Sequence, residues 1–188
     1  MQPQKLLALY TFGVFIKPAQ HSDNNGFHEL NDRIFPLVDN AAGFVRRSGY
    51  HDEPGPVSWG EQVFPRFYDE KGDGWSPSTL SLWRDIEAAM AFSYFGLHAV
   101  ALNRGHGWFV KPYWPPYAVW WVGCDHSPSW AEAVQRHEEL HKTGPTASAF
   151  NFKKPFNANG APISADRSRI AAYVKQNAAN SSDRQPLK

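Results

Sequence analysis

A strand that is apolar on both faces needs cover on both faces, and this requirement shapes everything a small chain can become. Leu6–Ile16 (LLALYTFGVFI) is such a strand. Leu6, Ala8, Tyr10, Phe12, Val14 and Ile16 make one face. Leu7, Leu9, Thr11, Gly13 and Phe15 make the other. Tyr117–Val122 (YAVWWV) repeats the property. Gly43–Tyr50 (GFVRRSGY) and Thr79–Arg84 (TLSLWR) complete a set of four predicted strands, the latter by alternation of Leu80 and Leu82 with Thr79, Ser81 and Trp83.

Helices fall between them. His28–Val38 carries Leu30, Ile34, Leu37 and Val38 on one side, with Pro36 expected to kink or shorten its last turn. Asp85 is the N-cap of a helix running from Ile86 to Leu102, apolar on two sides and broken near Gly96. Ser129 and Glu132 form a capping box, and Gly144-Pro145 stops the helix that begins there. Its inward stripe is Trp130, Ala133, Val134, His137 and Leu140. A short helix over Asp166–Gln176 is the last element, followed by a disordered end at Ala178–Lys188.

The order β-α-β-β-α-β plus a C-terminal helix is an α+β, ferredoxin-like arrangement with an antiparallel sheet. The domain spans residues 1–156, with a loop insertion at 51–76, and a polar, partly disordered tail fills 157–188. Two helices cover only one face of such a sheet, so a second copy of the chain is the simplest cover for the other. A homodimer with sheets face to face is the expectation. The 51–76 loop is rich in Pro, Gly and charge yet carries Trp59, Phe64, Phe67, Tyr68 and Trp75. It reads equally as a functional lid or as an ordered surface flap.

With 188 residues the chain fits one domain. Cys124 is its only cysteine, so no disulfide framework exists within it and a cytoplasmic protein is expected. Leu6–Ile16 after Lys5 resembles the apolar part of a signal peptide, but Tyr10, Thr11, Phe12 and Val14 favour a strand. It is also too short to span a bilayer. The net charge is +1 and the basic residues form no stripe, which excludes a nucleic-acid groove of the usual kind. Eight Trp, seven Tyr and thirteen Phe imply either a bulky core or a cavity walled for a flat ligand.

The residue blocks Gly43-Phe44-Val45-Arg46, Leu82-Trp83, Phe92-Ser93-Tyr94, His98, Arg104, Trp108-Phe109 and Trp120-Trp121-Val122 stand in a characteristic order. His126, Pro128-Ser129, Glu132-Ala133, Gly144-Pro145-Thr146 and Ala149-Phe150-Asn151-Phe152 continue it. Together they resemble the domain-of-unknown-function family numbered 3291, over roughly Leu6 to Phe156. The resemblance implies a dimeric α/β barrel, in the superfamily of antibiotic-biosynthesis monooxygenases, small polyketide cyclases and muconolactone isomerases. The 51–76 loop and the C-terminal tail lie outside it.

Three constellations could carry chemistry. His137-Glu138-Glu139-Leu140-His141 fits the H-E-x-x-H zinc signature. Ala147 stands where a third histidine would complete the extended pattern, no His or Glu follows His141, and the only methionines are Met1 and Met90. No metal is therefore expected. His98 with Tyr94 one helical turn earlier, and Arg104 beyond, form the second group. On one helical face the phenol and imidazole would share a cavity, with His98 moving a proton and Arg104 holding an anion. The competing reading is a buried histidine bonded to a backbone carbonyl. The third group is aromatic: Tyr10, Phe12, Trp83, Trp108 and Trp120, either core or the walls of a substrate pocket. No phosphate loop or dinucleotide fingerprint is present, so no nucleotide or flavin cofactor is expected.

The leading functional expectation is a cofactor-independent enzyme of secondary metabolism. It would perform cyclase- or isomerase-type proton transfer on a hydrophobic, polyketide- or terpenoid-like substrate. A cofactor-free monooxygenase of phenols and a non-catalytic haem or hydrophobic-ligand binder are the alternatives.

Overall fold

The structure, a computed structural model, describes residues 5–69 and 75–181. Strands β1 (Lys5–Phe12), β2 (Phe44–Arg47), β3 (Ser78–Trp83) and β4 (Tyr117–Gly123) form one antiparallel sheet in the order β2-β3-β1-β4. The helices are α1 (Asn25–Val38), α2 (Ile86–Tyr94), α3 (Gly96–Arg104), α4 (Trp130–Thr143) and α5 (Arg167–Ser181), with single 3-10 turns at Ser22–Asn24 and Gly105–Gly107. The class is α+β, as expected from the element order.

β1 is central because it pairs on both edges, with Tyr10 opposite Leu80 on one side and Ala118 on the other. It ends at Phe12, earlier than the apolar run suggests. Beyond that point the extended chain leaves β3 and pairs with the segment after α3, where Ile16 donates its N–H to the Trp108 carbonyl and Val110 donates to that of Val14. β2 is short for a similar reason: its register slips between Phe44 and Arg46. Gly43, just before it, has φ +80°, and a Cβ there would lie 2.5 Å from Cβ of Ala88. Only glycine lets β2 enter the sheet so close to α2.

The capping residues act as their chemistry dictates. Asp85 accepts from the Ala88 N–H at 2.9 Å, and Ser129 accepts from the Glu132 N–H at 3.1 Å. Glu132 does not return the bond to Ser129. Its carboxylate instead accepts from Trp120 Nε1 at 3.0 Å and meets His126 Nε2 at 2.7 Å, which ties α4 to β4. The expected single helix from Ile86 to Leu102 is two helices. Phe95 is extended and Gly96 adopts φ +62°, so the chain turns between α2 and α3.

Cover for the sheet comes from this one chain. The face bearing Leu7, Leu9, Trp83 and Val119 lies under α2, the end of α1, Phe150, Phe152 and the edge of α5. The face bearing Leu6, Ala8, Tyr10, Phe12, Leu80, Leu82, Trp120 and Val122 lies under Trp130 and Ala133 of α4, with Tyr50, Trp59, Val63, Phe64, Phe67 and Tyr68. Tyr10 and Ala8 are completely buried within a single chain. This corrects the physical ground for a second copy: the face expected to pack on another sheet is already covered. Within the 51–76 loop Phe67 is buried and Trp59, Phe64 and Tyr68 are half-buried against this face, so that part of the loop belongs to the core cover, while residues 51–55 and Val57 are exposed.

The tail also differs from expectation. α5 continues through Ser181, so the described part of the expected disordered end is helical; residues 182–188 lie outside the described residues. One carboxylate ties α5 to the start of α2. Asp85 caps α2 with Oδ1, while its Oδ2 accepts from Arg169 at 2.7 Å and from the Tyr173 hydroxyl at 2.9 Å.

Phe67 tests the role of the 51–76 segment. It is 6% exposed and stacks on Trp114 at 5.3 Å. Phe67→Ala should lower unfolding free energy by about 3–5 kcal/mol, the cost of emptying a core aromatic position. A surface flap would give almost no change, and urea unfolding distinguishes the two.

Candidate functional site

Three structural units converge on one apolar groove of about 240 Å³. α1 contributes Ile34 and Leu37, the α2–α3 corner contributes Phe92, Phe95 and His98, and α5 contributes Val174 and Asn177. Among the described residues none that lines it is charged. The corner exists because Phe95 and Gly96 break the helix, and the break moves α3 off the α2 axis. A wider depression of about 640 Å³ lies at Lys5, Trp121 and the turn 157–160. It is open and polar, and Lys5 Nζ is already engaged with the Ala158 carbonyl at 2.6 Å. The groove is the better candidate because it is apolar and holds a titratable ring.

His98 is that ring. Its Nδ1 lies 2.8 Å from the carbonyl of Ser93, an acceptor, so Nδ1 carries the proton and Nε2 keeps its lone pair. The ring also sits 5.4 Å from that of Phe92. Burial pushes the His98 pKa below its ordinary value, and the Ser93 carbonyl only partly offsets this. The result is a neutral imidazole at neutral pH with a hydrogen-bond-accepting nitrogen.

The other expected catalytic residues are not gathered there. Tyr94 lies on α2 and His98 on α3, so the shared helical face does not exist. The Tyr94 hydroxyl meets the Tyr117 hydroxyl at 3.1 Å, and that of Tyr117 also accepts from the Phe152 N–H. Arg104 ends α3 on the surface, outside the groove. The five aromatic candidates are buried and divided among three clusters. Tyr10, Phe12 and Trp120 pack under α4, Trp83 packs on the opposite face, and Trp108 packs with Phe15, Ala19 and Leu30. None of them lines the groove.

The H-E-x-x-H residues also have other engagements. His137 is fully buried with Nε2 on the Pro115 carbonyl, Glu138 accepts from the Arg66 N–H at 2.8 Å, and His141 packs its ring 4.7 Å from Phe67. Among the described residues no group of three or more His, Cys, Asp or Glu side chains is arranged to hold a metal ion. Ile34, Leu37, Phe95 and Val174 were missed as groove residues. Two adjacent aromatics at a glycine break, Tyr94 and Phe95 before Gly96, were the one local signal of an opening.

An α+β domain on a four-stranded antiparallel sheet, with a histidine-bearing groove between helices, is the class these features define. The chain matches the family described as "Domain of unknown function (DUF3291)" over residues 6–166, and it belongs to that family. No curated protein and no solved structure matches it. Among the described residues no helix is long and apolar enough to cross a membrane.

The two buried histidines set a pH dependence. Burial lowers the pKa of both His98 and His137, so the unfolded chain binds more protons as pH falls through the ordinary histidine value near ~6.5. Their contribution is fully present above that pH and is lost below it. Unfolding free energy should therefore fall between about pH 7.5 and 5.5. Urea unfolding of His98→Gln across this window should show a shallower slope; an unchanged slope would place the titration elsewhere.

Proposed function

We propose that this protein is a cofactor-independent small-molecule enzyme. It binds a neutral, hydrophobic metabolite in the groove between α1, the α2–α3 corner and α5, and it moves a proton through His98. The observation that carries this reading is a neutral imidazole, anchored through Nδ1 to Ser93, in a mainly apolar groove whose other polar lining among the described residues, Asn40, Asn177, Asn180 and Ser181, is uncharged. Such a ring accepts a hydrogen bond from a hydroxyl, or takes a proton from carbon next to a carbonyl. Positioned general bases of this kind contribute typically ~10²–10⁴-fold to rate. Isomerisation or cyclisation is the matching reaction class, because neither needs an electron acceptor.

The volume narrows the substrate. Sites for drug-sized molecules usually enclose roughly 300–1,000 Å³, and the groove is smaller. A single-ring terpenoid or phenol fits this better than a polycyclic polyketide. The lack of charged lining among the described residues disfavours haem, whose propionates need cations. The strand order β2-β3-β1-β4 supports a ferredoxin-like split βαβ sheet, and with it kinship to the α/β-barrel monooxygenases and cyclases. An exposed free thiol at Cys124 suits a reducing compartment, so we place the protein in the cytoplasm.

Thymol and its methyl ether test the binding half, since they differ in one hydrogen-bond donor. Wild type should prefer thymol by about tenfold in calorimetric titration, and His98→Leu should lose the preference while still binding the ether. Exchange into a cyclic enone in D₂O tests the chemistry. Mass spectrometry should show deuterium incorporation that His98→Ala slows by ~10²–10⁴. Equal binding of thymol and its ether by wild type would remove His98 from the site. Intact thymol preference with no catalysed exchange across a panel of enones would leave a binding protein instead.

A further inference from the structure

Apart from the groove, the layer between the sheet and α4 holds polar atoms with no visible satisfaction. The Tyr10 hydroxyl, Trp130 Nε1 and His137 Nδ1 are buried and have no hydrogen-bond partner among the described residues. All three residues are completely inaccessible. Tyr10 neighbours both of the others: its ring lies 5.6 Å from that of His137 and 6.3 Å from that of Trp130, both nearly edge-on. Ser78 faces the Tyr10 hydroxyl without closing a hydrogen bond of good geometry. Its Oγ accepts instead from Gln62 Nε2 at 2.8 Å.

A buried polar group left unpaired costs ~1–3 kcal/mol, and three side by side would be a heavy load on one packed layer. Their chemistry is complementary. His137 Nε2 faces the Pro115 carbonyl and so carries the ring proton, leaving Nδ1 as a bare acceptor. The Trp130 indole is a donor only, and the Tyr10 hydroxyl is both donor and acceptor. None of the three groups is a cation that would hold an anion, and a cation would find only one nitrogen lone pair and a phenol oxygen among them. A neutral guest that both donates and accepts fits.

We propose that this layer is a specific binding site for internal water, with one molecule bridging the Tyr10 hydroxyl, Trp130 Nε1 and His137 Nδ1. The water accepts from the indole N–H, donates to the imidazole and exchanges a bond with the phenol. Three bonds are the usual complement of a buried water. The site joins β1 to Trp130 and His137 of the inward stripe of α4, and it gives the first histidine of the H-E-x-x-H sequence a role without metal.

Tyr10→Phe removes one oxygen and leaves the ring packing in place. Oxygen-17 magnetic relaxation dispersion on the full chain counts long-lived internal waters. Wild type should show a long-residence water whose dispersion amplitude falls, or whose exchange quickens, in Tyr10→Phe. The melting temperature should drop by about 2–4 °C. Unchanged dispersion overturns the proposal whatever the melting temperature does: a drop would then reflect a direct bond from Tyr10 to Ser78, and a rise would mean that the hydroxyl is buried dry. His137→Leu, checked for folding by far-UV circular dichroism, should abolish the same dispersion component; its persistence would equally overturn the assignment.

Discussion

Burial of β1 on both faces is the constraint on which the architecture turns. Leu7 and Tyr10 point to opposite sides of one strand, and both are inaccessible. A central strand of this kind contributes apolar area twice per residue pair, but only if the chain supplies two covering layers. Here one layer is mainly helical, α2 with the end of α1 and the 150–165 segment. The other is a helix plus an irregular aromatic segment, α4 with residues 50–68. The irregular half works because its rings are large. Tyr50 stacks on Trp130 at 5.7 Å, and Phe67 stacks on Trp114, so a few side chains cover what a second sheet or helix would otherwise cover.

That arrangement explains which parts of the fold could be read from residues alone. β3 was legible by its alternation, and the central parts of β1 and β4 by short apolar runs rich in aromatic and β-branched residues. Asp85, Ser129 and Gly144 were legible because a helix end needs a specific atom or a specific φ. The cover from residues 50–68 was not, since an aromatic residue in a Pro- and Gly-rich loop has no period to show which way it faces. Nor was the fate of α5. Its sequence is polar and none of its residues is buried, so its docking rests on Arg169, Tyr173 and Asn177 reaching α2 and the α1–β2 turn, contacts more than 80 residues away in sequence.

The candidate site was legible only in its central residue. His98 stood out by residue type and by its place in an apolar stretch. Spacing then suggested the wrong companion: four residues from Tyr94 to His98 place two side chains together on a continuous helix, and this helix is broken between them. A Gly96 break was visible in the sequence, but its consequence depends on φ +62° and on an extended Phe95, which redirect α3 altogether. The residues that replaced Tyr94 as neighbours come from α1 and α5, and no local pattern links those segments.

His98 and His137 make an instructive pair, because the chain treats them alike up to one atom. Each gives one ring nitrogen to a backbone carbonyl, Ser93 in one case and Pro115 in the other, and burial lowers the pKa of each. Each is thus a neutral ring with a fixed tautomer and one remaining lone pair. The difference lies in what surrounds that lone pair. At His137 the ring is fully buried and packs edge-on against Tyr10, Phe12 and Phe67. At His98 the ring lines an open groove. The same backbone device therefore fixes the tautomer of a ring fully buried under α4 and of a half-buried ring that lines the groove at the helix break, and the depth of burial sets the two apart.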